Sequence, residues 1–335
     1  MTDPIDTHLL AKLGTLRQLE IFLKVAEVGG IMQAAEHLHL TQPSVSMQVK
    51  KLSDAIGLPL YEQIGRKIFL TDAGQRVAEA AREILDALNR LDMQLNDLKG
   101  LQGGRLSIAV VTTAKYFLPH LLGPFCRRYP GIHVEFKVGN REQILERLAN
   151  NQDDLYFFSH PPADMDIECH VFLPNPLVVV ASASHLLAGR KNLHWNDLIN
   201  ERFLLREAGS GSRYAVLEHL RKHNLQIKTA MSMTIESNEA IKHAVMANLG
   251  IAVLSAYTLV HADIEGLVQL DVKEFPVMTH WQLVHRREKK FSPVAQRFLD
   301  FVLQESREHL PMNKIEARVQ AAQNARRAGQ TRRLA

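Results

Sequence analysis

The segment from Ala34 to Thr71 contains two short helical patterns separated by a tight turn and followed by a small hairpin. Thr41 is a favourable N-cap for the second helix, and Pro43 fits the first turn, where a missing N–H costs nothing. Apolar residues then recur at steps of four, three and four, which places them on one buried helix face: Val45, Val49, Leu52 and Ile56. This order of elements predicts a winged helix-turn-helix over residues 14–71, which typically places one helix in the DNA major groove.

The exposed face of the second helix carries short polar side chains and a glutamine, which suit contacts to phosphates and base edges. The hairpin turns at Gly65 and places Arg66 and Lys67 at its tip, as phosphate or minor-groove contact requires. A three-helix bundle without a DNA role is the alternative, and the basic hairpin argues against it. The predicted DNA-binding residues are Gln33, Thr41, Gln42, Pro43, Ser44, Ser46, Gln48, Lys50, Lys51, Arg66 and Lys67.

The run from Ala34 to Ser46 resembles the helix-turn-helix of LysR-type transcriptional regulators. The resemblance continues, at the spacing of that family, through Leu52, Gly57, Leu60, Gly65-Arg66 and Leu70 to Gly74. The chain departs from the usual family residues in the first helix of the motif, directly after Leu52 and in the wing: at Ile31, Gln33, Ser53 and Tyr61 to Gln63. These departures concern the preferred bases and not the fold.

Residues 72–99 are predicted to form one long linker helix, followed by a glycine-rich hinge at 100–104. Apolar residues of the helix are spaced 4, 3, 4, 3, 4 and 3, which is the seam of a two-stranded coiled coil; a helix lying on its own domain is the alternative. Two copies would set two recognition helices one DNA turn, or a multiple of it, apart over a pseudo-palindromic site. The predicted dimerisation residues are Val77, Ala81, Ile84, Leu88, Leu91, Leu95 and Leu98.

From Arg105 onward, apolar strands alternate with helical patterns. The pattern predicts a two-lobed α/β effector domain of the periplasmic-binding-protein type over residues 105–310, with its ligand between the lobes. Lobe I is expected at 105–176 and 281–310, and lobe II at 177–280. Residues 311–335 are expected to be a flexible basic tail. The fold class is thus α+β multidomain: a winged helix-turn-helix, a linker helix and the two-lobed domain.

Three loops open helices at the expected cleft, and helix N-termini with exposed amides and hydroxyls bind anions. One of them reads Gly-Ser-Gly-Ser-Arg but lacks the lysine of a phosphate-binding P-loop. Ordinary N-capping explains any single loop equally well, so the prediction of an anion site depends on their convergence. The predicted effector-binding residues are Thr112, Thr113, Ala114, Lys115, Asn140, Arg206, Gly209, Ser210, Gly211, Ser212, Arg213, Ser237 and Asn238.

Several segments of this domain resemble the CbbR-type branch of the LysR family, which regulates RuBisCO operons: Thr113 to Tyr116, Gly139 to Gln143, Arg206 to Arg213, Ser237 to Lys242 and Val284 to Arg287. The resemblance implies an activator that binds promoter DNA as a homodimer or homotetramer, contacts RNA polymerase and responds to a phosphorylated metabolite or NADPH. It implies no required cofactor and no metal. A LysR-type regulator of another metabolic operon, or a small-molecule binding protein without a DNA role, is the alternative.

Composition indicates where the protein is located and where its affinity for DNA must come from. Two cysteines, Cys126 and Cys169, fit a reducing cytoplasm, and no stretch approaches the ~20 apolar residues of a membrane span. We therefore expect a cytoplasmic protein. Basic residues outnumber acidic ones by 40 to 36, but the last 25 residues alone carry 6 basic and 1 acidic residue. DNA affinity must consequently come from the local placement of cations and from dimerisation.

Enzymatic function is not indicated, because the sequence has no GxSxG motif, no HExxH motif and no Cys/His metal spacing. A solute-binding protein for transport would share the ligand-binding fold. Such a protein would carry a secretion signal and no helix-turn-helix, and the first residues of this chain do not resemble a signal peptide.

Overall fold

The computed structural model describes residues 15–64, 67–98, 103–228, 231–260 and 265–319, with the backbone alone for 96–98. The chain divides into two compact units, Met1–Leu95 and Asn96–Ala335. Each unit is described by itself. Within the described residues, no helix is both long enough and apolar enough to cross a lipid bilayer.

The N-terminal unit is a three-helix core with a two-stranded wing and the start of the linker helix. Its elements are α1 (Leu16–Val28), α2 (Ile31–Leu38), α3 (Gln42–Ile56), β1 (Tyr61–Ile64), β2 (Lys67–Leu70) and α4 (Asp72–Leu98). The predicted caps are present: Thr41 accepts a hydrogen bond from the backbone N–H of Ser44, and Gly29 ends α1 in the left-handed conformation. Val45, Val49 and Leu52 of the apolar stripe are fully buried, and Ile56 is half-buried against the same core.

The linker helix begins in direct contact with the preceding loop. The hydroxyl of Thr71 donates to the carbonyl oxygen of Pro59 at 2.7 Å and accepts from the backbone N–H of Gly74 at 3.0 Å. A Cβ on Gly74 would overlap the carbonyl oxygen of Leu60. The glycine therefore permits the close approach of α4 to the backbone that leads into the wing.

The predicted coiled-coil seam is divided between two environments. Ala81 is fully buried in the core of the N-terminal unit, and Val77 and Ile84 pack against that core. Ala81 is therefore not available to a partner chain, contrary to the prediction, because α1 to α3 expose an apolar surface that this part of the stripe covers, whereas Val77 and Ile84 are only half-buried. Leu88, Leu91 and Leu95 are 42–50 % exposed; the side chain of Leu98 lies outside the described residues.

The second unit is built on one continuous set of strands in the order β4-β3-β5-β11-β6-β9-β7-β8, with β10 paired to β6. The strands are β3 (Gly103–Val111), β4 (Gly131–Gly139), β5 (Leu155–Phe158), β6 (Ile167–Ser182), β7 (Phe203–Leu205), β8 (Ser232–Thr234), β9 (Ile251–Ser255), β10 (Leu267–Gln269) and β11 (Val277–Arg286). Strand β11 pairs antiparallel along its whole length with residues 167–177 of β6, and the rest of β6 pairs with β9 and β10. Both strands stand in the middle of the strand order, between β5 of lobe I and β9 of lobe II. They therefore join lobe I to lobe II.

The helices of the second unit cover the two ends of the strand order. They are α5 (Leu118–Arg128), α6 (Arg141–Ala149) and α9 (Pro293–His309) in lobe I, with α7 (Gly211–Lys222) and α8 (Asn238–Met246) in lobe II. Alternate residues of β6 enter opposite cores of lobe II: Leu177 and Val179 pack in the core containing Trp195, and Val178 packs in the core containing Ile241. Burial on both faces explains why this strand reads as an uninterrupted apolar run.

Two boundaries differ from the sequence-based predictions. Residues 112–116 form a 3-10 turn instead of the start of α5, because Pro119 lacks the N–H that a continuous helix would need. Gly103 and Gly104 pair with β4 as part of β3 and are not a hinge; residues 100–102 lie outside the described residues.

The tail is also not uniformly flexible. Residues 312–319 are helical, and Met312 and Ile315 are buried at 8 % and 0 % exposure. These two apolar residues stand three positions apart and therefore share one helix face, which anchors the segment. The rest of the predicted basic tail, residues 320–335, lies outside the described residues.

Candidate DNA-binding surface and effector site

Helix α3 presents the polar residues that the sequence predicts for DNA contact. Thr41, Gln42, Pro43, Lys50 and Lys51 are exposed. The remaining predicted positions of this unit are half-buried or exposed: Ser44, Ser46 and Gln48 half-buried, Gln33 and Lys67 exposed. Arg66 lies outside the described residues. The helix N-terminus and one side of the wing tip thus offer amides, hydroxyls and cations of the kind that contact DNA.

Gln48 is held by the first helix of the unit. Its side-chain oxygen accepts a hydrogen bond from Nε2 of Gln18 at 3.1 Å, and Oε1 of Gln18 accepts from the backbone N–H of Thr15 at 2.8 Å. This bond orients the amide of Gln48, whose nitrogen and second oxygen lone pair are available for a base edge.

Arg206 is the centre of the candidate effector site. Its side chain is 3 % exposed, so its charge is almost entirely removed from water. One guanidinium nitrogen donates to Oδ1 of Asn238 at 2.7 Å, and another reaches Oγ1 of Thr112 at 3.3 Å. Two further bonds, at 2.7 and 2.8 Å, join Arg206 to the carboxylate of Glu207. The structure therefore brings together three predicted residues that lie far apart in the sequence.

A second cluster lies beside this arginine. Glu239 accepts from the hydroxyl of Tyr116 at 2.6 Å, from Lys115 at 3.2 Å and from Ser237 at 3.0 Å. Burial opposes the charge on Glu239, but these hydrogen bonds and that of its own backbone lower its pKa to about 2. The carboxylate is thus ionised at neutral pH. Burial, the hydrogen bond to Glu239 and its charge raise the pKa of Tyr116.

Lys242 completes the charges of this cluster. It is 7 % exposed, lies 5.1 Å from the ring centroid of Tyr116 and donates to the carbonyl oxygen of Thr258 at 3.3 Å. Burial lowers the pKa of Lys242, which the negative charge of Glu239 partly offsets. A buried ammonium, a buried guanidinium and two carboxylates therefore lie in one small region.

The Gly-Ser-Gly-Ser-Arg loop is fixed against the first turn of α6. The backbone N–H of Arg141 donates to the carbonyl oxygen of Gly209 at 3.0 Å. Ser210 makes no side-chain capping bond to α7; its hydroxyl instead lies 3.0 Å from that of Ser212. The side chain of Ser210 therefore does not occupy the first N–H groups of α7.

The other predicted residues have structural partners. Arg213 donates to the backbone carbonyl of Arg206 at 2.7 Å and so supports the buried arginine. Asn140 caps α6 and Ser237 caps α8 through side-chain oxygens, as ordinary N-capping predicts. Thr113 and Ala114 are buried in the 3-10 turn, which positions Thr112 and Lys115.

Nδ2 of Asn238 is buried and has no hydrogen-bond partner among the described residues, although Oδ1 of the same amide accepts from Arg206. A buried N–H group without an acceptor is unfavourable by about 1–3 kcal/mol. A bound ligand with an acceptor oxygen would satisfy it.

Two family descriptions match the chain over most of its length. Residues 16–75 match the "Bacterial regulatory helix-turn-helix protein, lysR family", and residues 99–307 match the "LysR substrate binding domain". The chain belongs to the LysR family of transcriptional regulators. It is a DNA-binding regulator and not an enzyme, and the predicted fold class, a winged helix-turn-helix followed by a two-lobed effector domain, is confirmed.

Curated relatives of this LysR-family regulator are similar over nearly their whole length. The "HTH-type transcriptional activator CmpR" of Synechocystis sp. is 50 % identical over 87 % of this chain and 95 % of its own. The "RuBisCO operon transcriptional regulator" of Acidithiobacillus ferrooxidans is 43 % identical over 86 % and 93 %. The resemblance to the CbbR-type branch is therefore confirmed.

Two solved LysR-family structures are informative. The regulatory domain of Synechocystis PCC6803 CcmR in complex with 2-PG is 44 % identical, covers 60 % of this chain and 97 % of its own, and has a TM-score of 0.58. Full-length CbnR complexed with its target DNA is 24 % identical, covers 88 % and 100 %, and has a TM-score of 0.61. The second likeness shows the fold.

Sequence reasoning missed four residues that determine the charge of the effector region in this LysR-family regulator: Tyr116, Glu207, Glu239 and Lys242. Each is adjacent to a predicted residue or one helical turn away from one. The available signal was the acidic residue that immediately follows Arg206 and the one that follows Asn238. Carboxylates are not expected at an anion site, so these two residues do not stand out in the sequence.

Proposed function

We propose that this regulator binds promoter DNA through α3 and the wing and controls carbon-fixation genes in response to a phosphorylated metabolite. The effector would contact Thr112, Arg206 and Asn238. The observation that carries the proposal is the buried, unpartnered Nδ2 of Asn238 beside a buried guanidinium. The printed names of CmpR, the RuBisCO operon regulator and the 2-PG complex of CcmR support the class of target gene and of ligand.

The two internal carboxylates restrict which ligand the site accepts. Glu207 already binds the Nε edge of Arg206, so the effector would meet the arginine only at its remaining N–H directions. Glu239 likewise neutralises Lys115. A small anion that also accepts from Asn238 and Thr112 fits this arrangement better than NADPH, whose several phosphates need more unpaired cations.

The proposed assembly is a homodimer. Two homodimers would form a homotetramer, which would contact RNA polymerase at the promoter. Leu88, Leu91 and Leu95 support the dimer, because they are exposed at heptad spacing beyond the part of α4 that packs on its own unit. Effector and DNA would then affect each other's binding by the same factor, since coupling between two sites is reciprocal.

The test is a footprint of the full-length protein on the DNA upstream of its own gene and of carbon-fixation genes. Each footprint is recorded without effector and with 2-phosphoglycolate, a sugar phosphate, NADPH or inorganic phosphate. We expect protection over a pseudo-palindrome and a change of its extent with 2-phosphoglycolate. No protection on any of these fragments, in low salt, would contradict the proposed function.

Gln48 and Lys67 are expected to have different roles in DNA binding. Gln48→Ala should weaken binding to the specific site by about 10-fold and leave non-specific binding unchanged, because glutamine is proposed to read a base edge. Lys67→Ala should weaken both and lower the salt slope by about 1, because it removes one phosphate contact. Titrations of specific and random duplexes at four salt concentrations measure this. Equal losses on both duplexes for Gln48→Ala would reject its role in base recognition.

Glu239→Gln is expected to tighten binding of the phosphorylated effector by about 10-fold, because it removes a negative charge next to the site. The exposed Glu236→Gln is the matched control, since it makes the same charge change three residues earlier. Calorimetric titration of the full-length variants with 2-phosphoglycolate measures the effect. If both variants bind the effector with the same affinity, the carboxylate of Glu239 does not act on this site.

A further inference from the structure

A cluster of two imidazoles and a carboxylate lies on β6 and β11, away from the effector region. Glu168 is paired directly with His285, and His170 stands two residues from Glu168 on the same strand. Side chains directly opposite in an antiparallel pair share a sheet face, as do residues two apart on one strand. Glu168, His170 and His285 therefore project from one face, and Cys169 projects from the other.

The donor atoms of this cluster are close to one another. The two Nε2 atoms are 3.1 Å apart. The carboxylate oxygens of Glu168 lie 3.7 Å from Nε2 of His170 and 3.9 Å from Nε2 of His285. One ligand atom from each residue lies within 4.8 Å of the others. Ligands held at about 2.0–2.2 Å from a common ion have separations of this size.

His285 is held in the protonation state that a metal ligand needs. Its Nδ1 is 2.8 Å from the carbonyl oxygen of Arg286, which can only accept, so the proton lies on Nδ1 and Nε2 carries a lone pair. This is the outer hydrogen bond that orients most metal-binding histidines. Burial lowers the pKa of His285, which keeps the imidazole neutral near pH 7.

The two partners of His285 are able to adjust. The imidazole rings are inclined by only 20° with centroids 5.3 Å apart, and their Nε2 atoms are within hydrogen-bond distance of each other. An ion must turn the His170 ring off this line. The side chain of His170 is 24 % exposed and that of Glu168 is 47 % exposed, whereas that of His285 is 6 % exposed. On metal binding, the side chains of His170 and Glu168 would therefore move and that of His285 would stay in place.

We propose that Glu168, His170 and His285 form a binding site for a zinc-class divalent transition metal ion. Two imidazoles and one carboxylate select such an ion over Mg²⁺ or Ca²⁺, which prefer oxygen ligands. Three protein ligands leave a further coordination position for water. The ion would join β6 to β11 at the lobe I end of the two strands that connect the lobes. The site is independent of the proposed effector.

The test is direct metal binding to the full-length protein. Metal-free protein is titrated with Zn²⁺ by calorimetry and with Co²⁺ by visible absorption, in the presence of excess Mg²⁺. We expect one strong site per chain, a Co²⁺ d–d spectrum, and a rise in the melting temperature of about 5 °C at a Zn²⁺ concentration 100 times Kd.

Three variants remove one ligand each: Glu168→Gln, His170→Gln and His285→Gln. Each should weaken Zn²⁺ binding by about 100-fold. Because His285 is buried and its replacement also removes core packing, the variants Glu168→Gln and His170→Gln decide the test. Cys169→Ser, on the opposite face, and His280→Gln, an exposed histidine on β11, are the controls and should bind Zn²⁺ like the unaltered protein.

The proposal is overturned if Zn²⁺ binds the unaltered protein no more tightly than it binds His170→Gln and Glu168→Gln. It is also overturned if the Co²⁺ spectrum is lost in Cys169→Ser and kept in His170→Gln. In both cases a hydrogen bond alone explains the contact between His170 and His285.

Discussion

Arg206→Lys is expected to weaken binding of the phosphorylated effector by about 100-fold and to leave DNA binding without effector unchanged. Arginine donates from a planar, rigid guanidinium to Glu207, Asn238 and Thr112 at the same time. Lysine keeps the charge but offers a single ammonium, which cannot keep all three partners and an effector oxygen. The substitution therefore separates the geometry of the donor from its charge.

Calorimetric titration with 2-phosphoglycolate and footprinting of the same preparation measure the two parts of this prediction. Arg202→Lys is the matched control, because Arg202 is an exposed arginine four residues earlier in the chain. A thermal melt checks that Arg206→Lys is folded. If the folded variant responds to the effector like the control, Arg206 is not part of the effector site.

The sequence predicts most of the N-terminal unit because its determinants are local. The cap at Thr41, the apolar spacing of α3 and the turn between β1 and β2 lie within a few residues of the elements that they define. Helix α3 and both strands of the wing accordingly occupy the residues that the pattern indicates.

The apolar pattern of the linker helix is compatible with two different contacts, one with the core of its own unit and one with a second copy of the helix. A strict heptad indicates that one face is buried, but it does not say what buries it. Ala81 is covered by the helices of its own unit, whereas Leu91 is half exposed. The packing of the first part of α4 on the helical core distinguishes these two residues, and the close approach at Gly74 brings the start of α4 to that core.

In the effector region, the sequence likewise does not determine which charged side chains pair with one another. The sequence predicts that the loops of Arg206 and Asn238 converge, because each opens a helix at the expected cleft. It does not indicate that Glu207 folds back onto the arginine or that Glu239 reaches Tyr116 across the two lobes. The charge of such a site depends on side-chain conformations, which sequence spacing does not determine.

Gly74→Ala is expected to destabilise the N-terminal unit by about 3 kcal/mol, although alanine is ordinarily the better helix former. Its Cβ would overlap the carbonyl oxygen of Leu60, which is backbone and cannot rotate away. The start of α4 must then move from the loop before the wing, and the bonds of Thr71 to Pro59 and Gly74 are lost with it. DNA binding should weaken because the wing is no longer held in place.

Gly123→Ala is a control with the opposite sign. Gly123 lies within α5, where a Cβ would meet only the end of the Arg127 side chain at 3.5 Å, an ordinary contact. Alanine there should stabilise the second unit by up to about 1 kcal/mol and leave DNA binding unchanged. Calorimetric melting and DNA titration of both variants measure the difference. If Gly74→Ala melts at or above the temperature of the unaltered N-terminal unit, α4 does not depend on close contact with Leu60, and the exposed part of its seam must be positioned in some other way.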